Sequence, residues 1–340
     1  MRGRGNPGCV TKMITDNFGR NIHYLRLAVT DRCNLRCTYC MPAGGLQWLL
    51  GKELMRYEEM LRLCRLLVTM GIDKIRITGG EPFVRKDLMP FLYQLAEIGG
   101  LKELTLTTNG LLTEKYVPGL KQLGVKAVNL SLDTLDPGRF RQIARRDGVD
   151  KVLATMYRLL EQDIDVKINA VVMEGKNIED IVPLVLLTKT LPVSVRFIEE
   201  MPFNGGGGPV PLKWDAVQML RHIKMYFPDM ERTADPAHAT SSNYKIPGFT
   251  GSLGIIAGYT RSFCGSCNRI RITPAGILRT CLYSSGGLDL KQAMRAGAAD
   301  AEIEQLIINA LLKKPEDGWA AQDIPEVARI PYESMAAIGG

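Results

Sequence analysis

Short apolar runs alternate with longer amphipathic stretches along the first two-thirds of the chain. The runs rich in β-branched residues predict six strands, and the longer stretches predict four helices between them. This alternation indicates a parallel sheet with helices outside it. Because a closed barrel needs eight such units, both a partial barrel and a doubly wound sheet fit the pattern. The predicted strands are Tyr24–Val29, Lys74–Thr78, Leu104–Thr108, Ala127–Ser131, Val166–Val172 and Val193–Phe197, and the predicted helices are Tyr57–Met70, Lys86–Ala96, Val149–Gln162 and Asn177–Thr188.

The alternation ends at Pro202–Pro211, which contains four consecutive glycines, Gly205–Gly208. Such a run predicts a flexible linker or loop. One helix, Trp214–Tyr226, is predicted beyond it. A polar, turn-rich region follows, and Glu302–Lys313 is the last predicted helix.

The chain has 340 residues, 46% of them hydrophobic, and a formal charge of +7. This mild excess of basic residues fits an ordinary soluble protein or one that binds an anionic substrate. Apolar stretches such as Ile181–Leu187 are far shorter than the roughly 20 residues that cross a bilayer. Since no apolar segment follows Arg2 and Arg4, we expect a cytoplasmic protein without a secretory signal and without a membrane partner. The basic residues are dispersed, so we expect no nucleic-acid partner.

The cysteines fall into two groups near the ends of the chain. Clustered cysteines in a chain without a signal sequence predict a metal or redox site rather than a disulfide framework. The eight cysteines are Cys9, Cys33, Cys37, Cys40, Cys64, Cys264, Cys267 and Cys281.

The first group has the spacing C-x3-C-x2-C and directly follows the first predicted strand. The carboxyl ends of strands are where the chemistry of α/β folds is found. Three thiolates (Cys33, Cys37 and Cys40) leave one corner of an iron–sulfur cube open for a cofactor or substrate. The alternative is a zinc site completed by a distant residue such as His23.

The segment Thr78-Gly79-Gly80-Glu81-Pro82 follows the second predicted strand. Glycines allow a ligand to approach the backbone closely, and the Glu81 carboxylate suits a cation. An ordinary tight turn would explain Gly79 and Gly80 alone. Together with the cysteine spacing and Tyr39, this segment resembles the radical S-adenosylmethionine superfamily. The resemblance implies a 4Fe–4S cluster on the three cysteines, whose open iron binds S-adenosylmethionine.

The second group is Cys264-Gly265-Ser266-Cys267, completed by Cys281. Three thiolates again suggest a cluster with one free iron, although C-x2-C is also a common zinc knuckle. Arg269 and Arg271 follow at once. Residues two apart on an extended segment point to the same side, so the two guanidiniums can hold phosphate. A pair of solvated charges is the alternative.

The order of both cysteine groups, the Gly-Gly-Glu-Pro segment and the terminal Gly339-Gly340 is similar to the MoaA family, the GTP 3′,8-cyclases of molybdenum cofactor biosynthesis. The resemblance implies an incomplete (β/α)6 TIM-like barrel with a C-terminal extension that closes its open side. Residues 1–200 would form the partial barrel with the first 4Fe–4S cluster. Residues 201–340 would form the domain with the second 4Fe–4S cluster, substrate binding and the Gly-Gly tail.

The activity implied is conversion of GTP to 3′,8-cyclo-7,8-dihydro-GTP, in which an adenosyl radical removes hydrogen from ribose carbon 3′. Cys33, Cys37, Cys40, Arg269 and Arg271 would be catalytic, and the two cysteine triads would hold the metal clusters. The contacts implied for S-adenosylmethionine are Tyr39, Gly79, Gly80, Glu81, Ser131 and Met201. Those implied for GTP are Arg26, Lys74, Arg76, Thr107, Lys167, Arg196, Arg269, Ile270, Arg271, Gly339 and Gly340.

The resemblance further implies a reductant protein and a downstream cyclic pyranopterin monophosphate synthase as partners of a monomer or homodimer. Two other classes stay open on sequence. One is a peptide-modifying radical enzyme with two clusters, although such enzymes usually carry more C-terminal cysteines. The other is a zinc protein that binds nucleic acid.

Overall fold

Six parallel strands form where the alternation predicts them and pair in chain order. The computed structural model of the chain describes residues 14–203, 212–323 and 333–340. Each strand pairs in parallel with the next. All six lie within two residues of their predicted ends, so this part of the prediction is confirmed. The strands are β1 (Tyr24–Ala28), β2 (Lys74–Thr78), β3 (Glu103–Thr108), β4 (Ala127–Ser131), β5 (Asp165–Val172) and β6 (Val193–Glu199).

Helices connect these strands, and two of them were not predicted. These are α3 and α4, whose early Pro-Gly pairs are typical of turns. Helix α2 begins two residues later than predicted, because Asp87 before it has a φ of 58° and breaks the helical path. The helices of this half are α1 (Tyr57–Thr69), α2 (Leu88–Ala96), α3 (Val117–Gln122), α4 (Pro137–Ala144), α5 (Val149–Glu161) and α6 (Ile181–Thr190).

The C-terminal part contains mostly short elements. Helix α7 begins at a capping box in which Asp215 accepts from the backbone of Gln218. The predicted Gly205–Gly208 linker lies outside the described residues. The elements are α7 (Ala216–Tyr226), β7 (Glu231–Arg232), β8 (Ser242–Lys245), β9 (Ser252–Ile256), β10 (Arg269–Ile272), β11 (Ile277–Arg279), β12 (Leu288–Asp289), α8 (Leu290–Arg295), α9 (Asp300–Leu312), α10 (Ala320–Asp323) and α11 (Met335–Ile338).

This C-terminal part extends the sheet at both edges. Strand β9 pairs in parallel with β6, and β10 pairs in parallel with β1. The 12-stranded sheet has the order β12-β11-β10-β1-β2-β3-β4-β5-β6-β9-β8-β7. Eight consecutive strands, from β10 to β9, are therefore parallel. The parallel-rich sheet with outer helices fits a partial TIM-like barrel.

The two faces of the parallel strands differ sharply in polarity. Side chains alternate across a strand, and Leu25, Leu27, Ile75 and Ile77 are all fully buried on the outer face. They belong to one hydrophobic core that includes α1 residues such as Met60. The opposite face of the same strands carries arginine, lysine, asparagine and threonine. A polar inner face cannot pack as a dry core, so the sheet encloses a cavity instead.

Among the described residues, no helix is long and apolar enough to cross a membrane.

Candidate active site

A cavity of about 990 Å³ runs along the inner face of the sheet. At the carboxyl ends of the strands it is lined by Cys33 and Asn109, and at their amino ends by Tyr24 and Ser194. It therefore extends along the full length of the parallel strands. All six predicted cluster cysteines line it, so the fold brings the two triads to one space.

The first triad lies on the loop that follows β1. The backbone of this loop pairs with the end of α4, where Arg36 N donates to Ala144 O at 2.9 Å and Thr38 N to Ile143 O at 2.9 Å. Neutral donors surround one of the sulfurs: Leu35 N lies 3.4 Å from the Cys33 Sγ, and Asn109 Nδ2 lies 3.7 Å from it. The loop thus holds its thiols by backbone geometry before any metal is bound.

The thiols of this triad are protonated at neutral pH in the metal-free protein. Burial, aided by the Glu81 charge, raises the pKa of Cys33 to about 11. Burial also raises the pKa of Cys37 and Cys40 above the usual range. Metal binding reverses this, because a coordinating thiol is deprotonated. Loading of this site therefore releases protons.

Gly79 and Gly80 pack directly against the start of the cysteine loop. A Cβ at Gly79 would lie 2.6 Å from the Thr30 carbonyl oxygen, and one at Gly80 would lie 2.6 Å from that of Asp31. Gly80 N also donates to Thr30 O at 2.7 Å. Both glycines line the cavity. Their lack of side chains lets two loops meet at its wall.

Glu81 lies outside the cavity lining, under the glycine loop. Its side chain is fully buried and accepts hydrogen bonds from Thr108 Oγ1 at 2.8 Å, from Asn109 N at 2.7 Å and from Phe83 N at 3.2 Å. Burial raises its pKa to about 7 in spite of these donors. The side chain that was expected to face a cation therefore fixes the loop.

The other residues predicted for S-adenosylmethionine face the same cavity. Tyr39, Ser131 and Met201 all line the cavity. The Tyr39 hydroxyl donates to Asp133 Oδ2 at 2.9 Å, while Asp133 Oδ1 accepts from Val171 N at 2.8 Å. This chain of bonds fixes the tyrosine against the carboxyl end of β5.

The second triad is assembled by the β10–β11 hairpin. Cys264 and Cys267 lie just before β10, and Cys281 lies two residues after β11. The antiparallel register, with Arg271 opposite Arg279, brings Cys281 back toward Cys267. Burial alone would raise the pKa of Cys267, but the positive charges of Lys314 and Arg269 override it and lower the pKa to about 7. Cys267 is therefore deprotonated more readily than Cys264, whose pKa is raised by burial.

Buried cations cover the inner face between the two triads. Within the described ranges, Arg26, Arg196 and Arg271 have no carboxylate ion pair, whereas Lys74 pairs with Glu103 at 2.8 Å. In the described part of the chain, the Nε atoms of Arg26, Arg196 and Arg269 and the Oγ1 atom of Thr107 are buried without a hydrogen-bond partner. Unpaired buried donors of this kind fit an anionic ligand. The cavity-lining members of the predicted GTP set are Arg26, Lys74, Arg76, Thr107, Lys167, Arg196, Arg269, Arg271 and Gly340.

The cationic side chains of this wall have lowered pKa values, because they are buried and lie close to one another. Burial lowers the pKa of Lys167 to about 8, and the nearby charges of Arg196 and Arg76 add to the effect. Burial likewise lowers the pKa of Arg196 and of Arg271 to about 10. A multiply charged anion would offset both the cost of burying these charges and their smaller mutual repulsion.

Ile270 and Gly339 are not on the cavity wall, although both stood in the predicted GTP set. Ile270 is fully buried on the outer face of β10, between the two arginines that point inward. Gly339 is buried in the tail, and its carbonyl oxygen accepts from Arg271 Nη1 at 2.7 Å. Gly340 after it reaches the cavity.

His23 has other partners and does not complete a zinc site at these cysteines. Zinc holds thiolates at about 2.3 Å, so its ligands must converge on one point. Among the described residues, no three His, Cys, Asp or Glu side chains converge in this way. His23, the suggested fourth ligand, instead pairs with Asp73 at 3.1 Å and with Asn268 at 2.8 Å.

Two family models match the chain. The radical SAM superfamily model matches residues 27–187, and Molybdenum Cofactor Synthesis C matches residues 193–319. The GTP 3′,8-cyclase of Heliobacterium modesticaldum is 38% identical over 335 residues, which cover 96% of this chain and 99% of that protein. The chain belongs to the GTP 3′,8-cyclase family. This confirms the resemblance inferred from the motifs.

Two other similar proteins are longer than this chain, which matches only part of each of them. Molybdenum cofactor biosynthesis protein 1 of Bos taurus is 41% identical over 319 residues, which are 94% of this chain but 50% of that protein. The chain thus spans about half the length of this relative. The crystal structure of Streptococcus suis SuiB bound to S-adenosylmethionine matches with a TM-score of 0.61 at 17% identity, covering 93% of this chain and 77% of that one. This likeness shows that the two chains share a fold.

Within this GTP 3′,8-cyclase family member, sequence reasoning missed two cavity asparagines and a lysine. The Oδ1 atoms of Asn129 and Asn169 are buried without a hydrogen-bond partner among the residues that the structure describes. Asn129 is in register with Thr107 and Lys167 on the neighbouring strands. The period-two pattern of β4 and β5 could have revealed both asparagines. No comparable pattern marks Lys314, which lies behind the second triad.

Proposed function

We propose that this chain is a radical S-adenosylmethionine GTP 3′,8-cyclase that forms 3′,8-cyclo-7,8-dihydro-GTP for molybdenum cofactor biosynthesis. The observation that carries the proposal is one cavity lined by both cysteine triads, with a cationic wall between them. Among the described residues, the Nε atoms of Arg26, Arg196 and Arg269 on this wall have no hydrogen-bond partner. The full-length similarity to a GTP 3′,8-cyclase supports it.

In this proposal Cys33, Cys37 and Cys40 hold one 4Fe–4S cluster. The cluster and S-adenosylmethionine supply a primary adenosyl radical when both are bound. Tyr39, Gly79, Gly80, Ser131 and Met201 form the wall next to that cofactor. The glycines leave room for its amino-acid part, while Glu81 acts indirectly by holding the loop under them.

The cationic wall binds the triphosphate. Arg26 lies in register between Arg271 of β10 and Arg76 of β2, so three guanidiniums form a row across neighbouring strands. Lys167 and Arg196 extend this charge along β5 and β6. Arginine binds phosphate oxygens in pairs, and burial strengthens each contact by excluding water.

The asparagines bind the sugar. A buried Oδ1 acceptor without a partner needs a donor, and triphosphate oxygens at neutral pH are acceptors only. Ribose hydroxyls can supply that donor. Asn169 is in register with Ser131 on one side and Arg196 on the other, between the cofactor wall and the phosphate wall. The ribose would therefore lie where the radical can reach it.

Cys264, Cys267 and Cys281 hold the second 4Fe–4S cluster, whose free iron would take the guanine base. Arg269 and Arg271 lie on β10, just after Cys267, and would bind the triphosphate next to this cluster. We further propose an incomplete (β/α)6 barrel in residues 1–200 whose open side is closed by residues 201–340. The partners proposed are a reductant protein and the downstream synthase, in the cytoplasm, for a monomer or homodimer.

Anaerobic reconstitution tests this function. The purified chain is analysed for iron and sulfide and then incubated with dithionite, S-adenosylmethionine and GTP. We expect about eight irons per chain, as two 4Fe–4S clusters require, with 5′-deoxyadenosine and the cyclised nucleotide formed only when GTP is present. Cofactor cleavage that is indifferent to GTP would contradict the substrate. About four irons would contradict the second cluster.

A further inference from the structure

Lys314 is a buried cation next to the second cysteine triad. It follows α9, and only 3% of its surface is exposed, whereas the preceding Lys313 faces solvent. Its Nζ donates to the Cys267 Sγ at 3.7 Å, to the Arg269 carbonyl oxygen at 3.2 Å and to the Thr280 carbonyl oxygen. Three acceptors match the three protons of an ammonium group.

These contacts join both arms of the hairpin that carries the triad. Arg269 lies on the arm that follows Cys267, and Thr280 directly precedes Cys281. One ammonium group therefore ties the two segments that supply the cysteines. The chain beyond Lys314 stays against the same site, because Arg20 donates both to Pro315 O at 2.7 Å and to Cys264 O at 3.1 Å.

The charge of Lys314 lacks a carboxylate partner among the described residues. Burying an ammonium group is costly unless an anion accompanies it. Two of its three acceptors are neutral carbonyl groups. The remaining acceptor, the sulfur of Cys267, is the group at this position that can carry negative charge. A metal-bound thiolate is thus the counter-ion that the burial of Lys314 requires.

The two triads differ in the charge of the groups that donate hydrogen bonds to their sulfurs. Around the first triad, the donors to the Cys33 sulfur are a backbone amide and the Asn109 amide, both neutral. At the second triad, the donors to the Cys267 sulfur include two cations, Lys314 and Arg269. Hydrogen bonds to the sulfurs and nearby charge set the reduction potential of an iron–sulfur cluster. A positive charge stabilises the reduced cluster, which carries one more electron.

We propose that Lys314 is a positioning residue of the second cluster, where its ammonium group binds the Cys267 sulfur, joins the two cysteine segments and raises the cluster's reduction potential. The inference rests on the proposed function, which assigns a cluster to this triad. It adds a determinant of the potential that lies outside the cavity and touches no substrate.

The test is a redox titration of the second cluster followed by electron paramagnetic resonance. The full chain carries C33A, C37A and C40A, so that iron is held at the second triad alone. Three variants are compared in this background: Lys314→Gln removes the charge, Lys314→Arg keeps it, and Lys313→Gln removes the neighbouring exposed charge as a control. We expect a more negative midpoint potential for Lys314→Gln only.

Each outcome is decisive. An unchanged midpoint in Lys314→Gln, or an equal shift in Lys313→Gln, would overturn the role of Lys314 while leaving the second cluster in place. If Lys314→Gln loses iron and Lys314→Arg retains it, the charge is required as proposed. Loss of iron in both would show a packing role and overturn the proposal. A parent chain without iron would instead contradict the second cluster itself.

Discussion

Arg271 Nη1 donates a 2.7 Å hydrogen bond to the backbone carbonyl oxygen of Gly339. An arginine of the proposed phosphate wall is thereby bonded to the second-last residue of the chain. The tail is held further upstream as well, where Ser334 Oγ donates to the carbonyl oxygen of Cys40. The C-terminal residues 333–340 thus contact the loop of the first triad and also strand β10, which follows Cys267 of the second triad.

The two terminal glycines should differ in their tolerance of a side chain. Gly339 has a φ of +85°, and a Cβ there would lie 2.8 Å from both Ala28 Cβ and Thr78 Oγ1. At Gly340 the nearest atom would be 3.9 Å away. We expect Gly339→Ala to displace the tail and lower turnover by on the order of a hundredfold, because small misplacements are costly in catalysis. Gly340→Ala, the control, should keep most turnover. Equal losses in a steady-state assay would refute this distinction.

Gly80→Ala should open the contact between the glycine loop and the cysteine loop. Its Cβ would lie 2.6 Å from the Asp31 carbonyl oxygen, and backbone must move to accommodate it. We expect a loss of about 1–3 kcal/mol in the free energy of unfolding, the usual cost of overpacking, and weaker binding of S-adenosylmethionine. Gly99→Ala is the matched control, since a Cβ there meets nothing within 4 Å. If the two variants unfolded at the same midpoint temperature, the predicted loss of stability in Gly80→Ala would be wrong.

Lys167 should make nucleotide binding sensitive to pH. Its pKa of about 8 means that the side chain loses its charge as the pH rises through 8, so the affinity for GTP should fall between pH 7 and pH 9. Bound triphosphate stabilises the ammonium form and moves the transition upward. Calorimetric titration of GTP without reductant measures this, and Lys167→Arg should flatten the profile. A profile in Lys167→Arg as steep as that of the parent would assign the effect to another group.

Through the same lysine, a rise in pH should increase the stability of the nucleotide-free protein, although it decreases the affinity for GTP. The folded protein lowers the pKa of Lys167 from 10.5 to about 8, so the unfolded chain binds more protons between these values. The contribution of Lys167 to the free energy of unfolding therefore increases as the pH rises across this window. We expect Lys167→Met to stabilise the nucleotide-free protein at pH 7, whereas Lys189→Met, on an exposed site, should not. A lower melting temperature for Lys167→Met would contradict the repulsion that we infer.

Asn169→Ala should reduce discrimination between GTP and its 2′-deoxy or 3′-deoxy analogues. The loss of one hydrogen bond to a ribose hydroxyl corresponds to about a three- to tenfold weaker affinity for GTP. Affinity for the analogue that lacks the contacted hydroxyl should change little. Exposed Asn309→Ala serves as the control. If Asn169→Ala weakens GTP and both analogues to the same extent, the side chain does not read the sugar.

The sequence predicted the parallel strands because their signal is local. In β2 the order Lys74-Ile75-Arg76-Ile77 contains both the strand and its two faces. The polar members of that alternation supply the cavity wall, and they include Arg76 and Lys167, which the family resemblance implied as GTP contacts. The same reasoning, applied to β4 and β5, would also have found Asn129 and Asn169.

What the sequence could not give depends on contacts between distant segments. Strand β10 has only four residues, and its pairing with β1 has no local signature. The burial of Glu81 depends on donors from Thr108 and Asn109, which belong to another loop. Lys314 is one of two adjacent lysines, and only the packing behind the hairpin separates the buried one from the exposed one.

The position of β1 between β2 and β10 has a consequence for synthesis on the ribosome. Strand β1 leads directly into the first cysteine loop, yet one of its edges stays unpaired until Ile272 has been made. An exposed strand edge invites pairing with other chains. The loop with Cys33, Cys37 and Cys40 is therefore attached to an incomplete sheet until β10 has been made. Lasting insertion of the first cluster should then follow the pairing of β10 with β1.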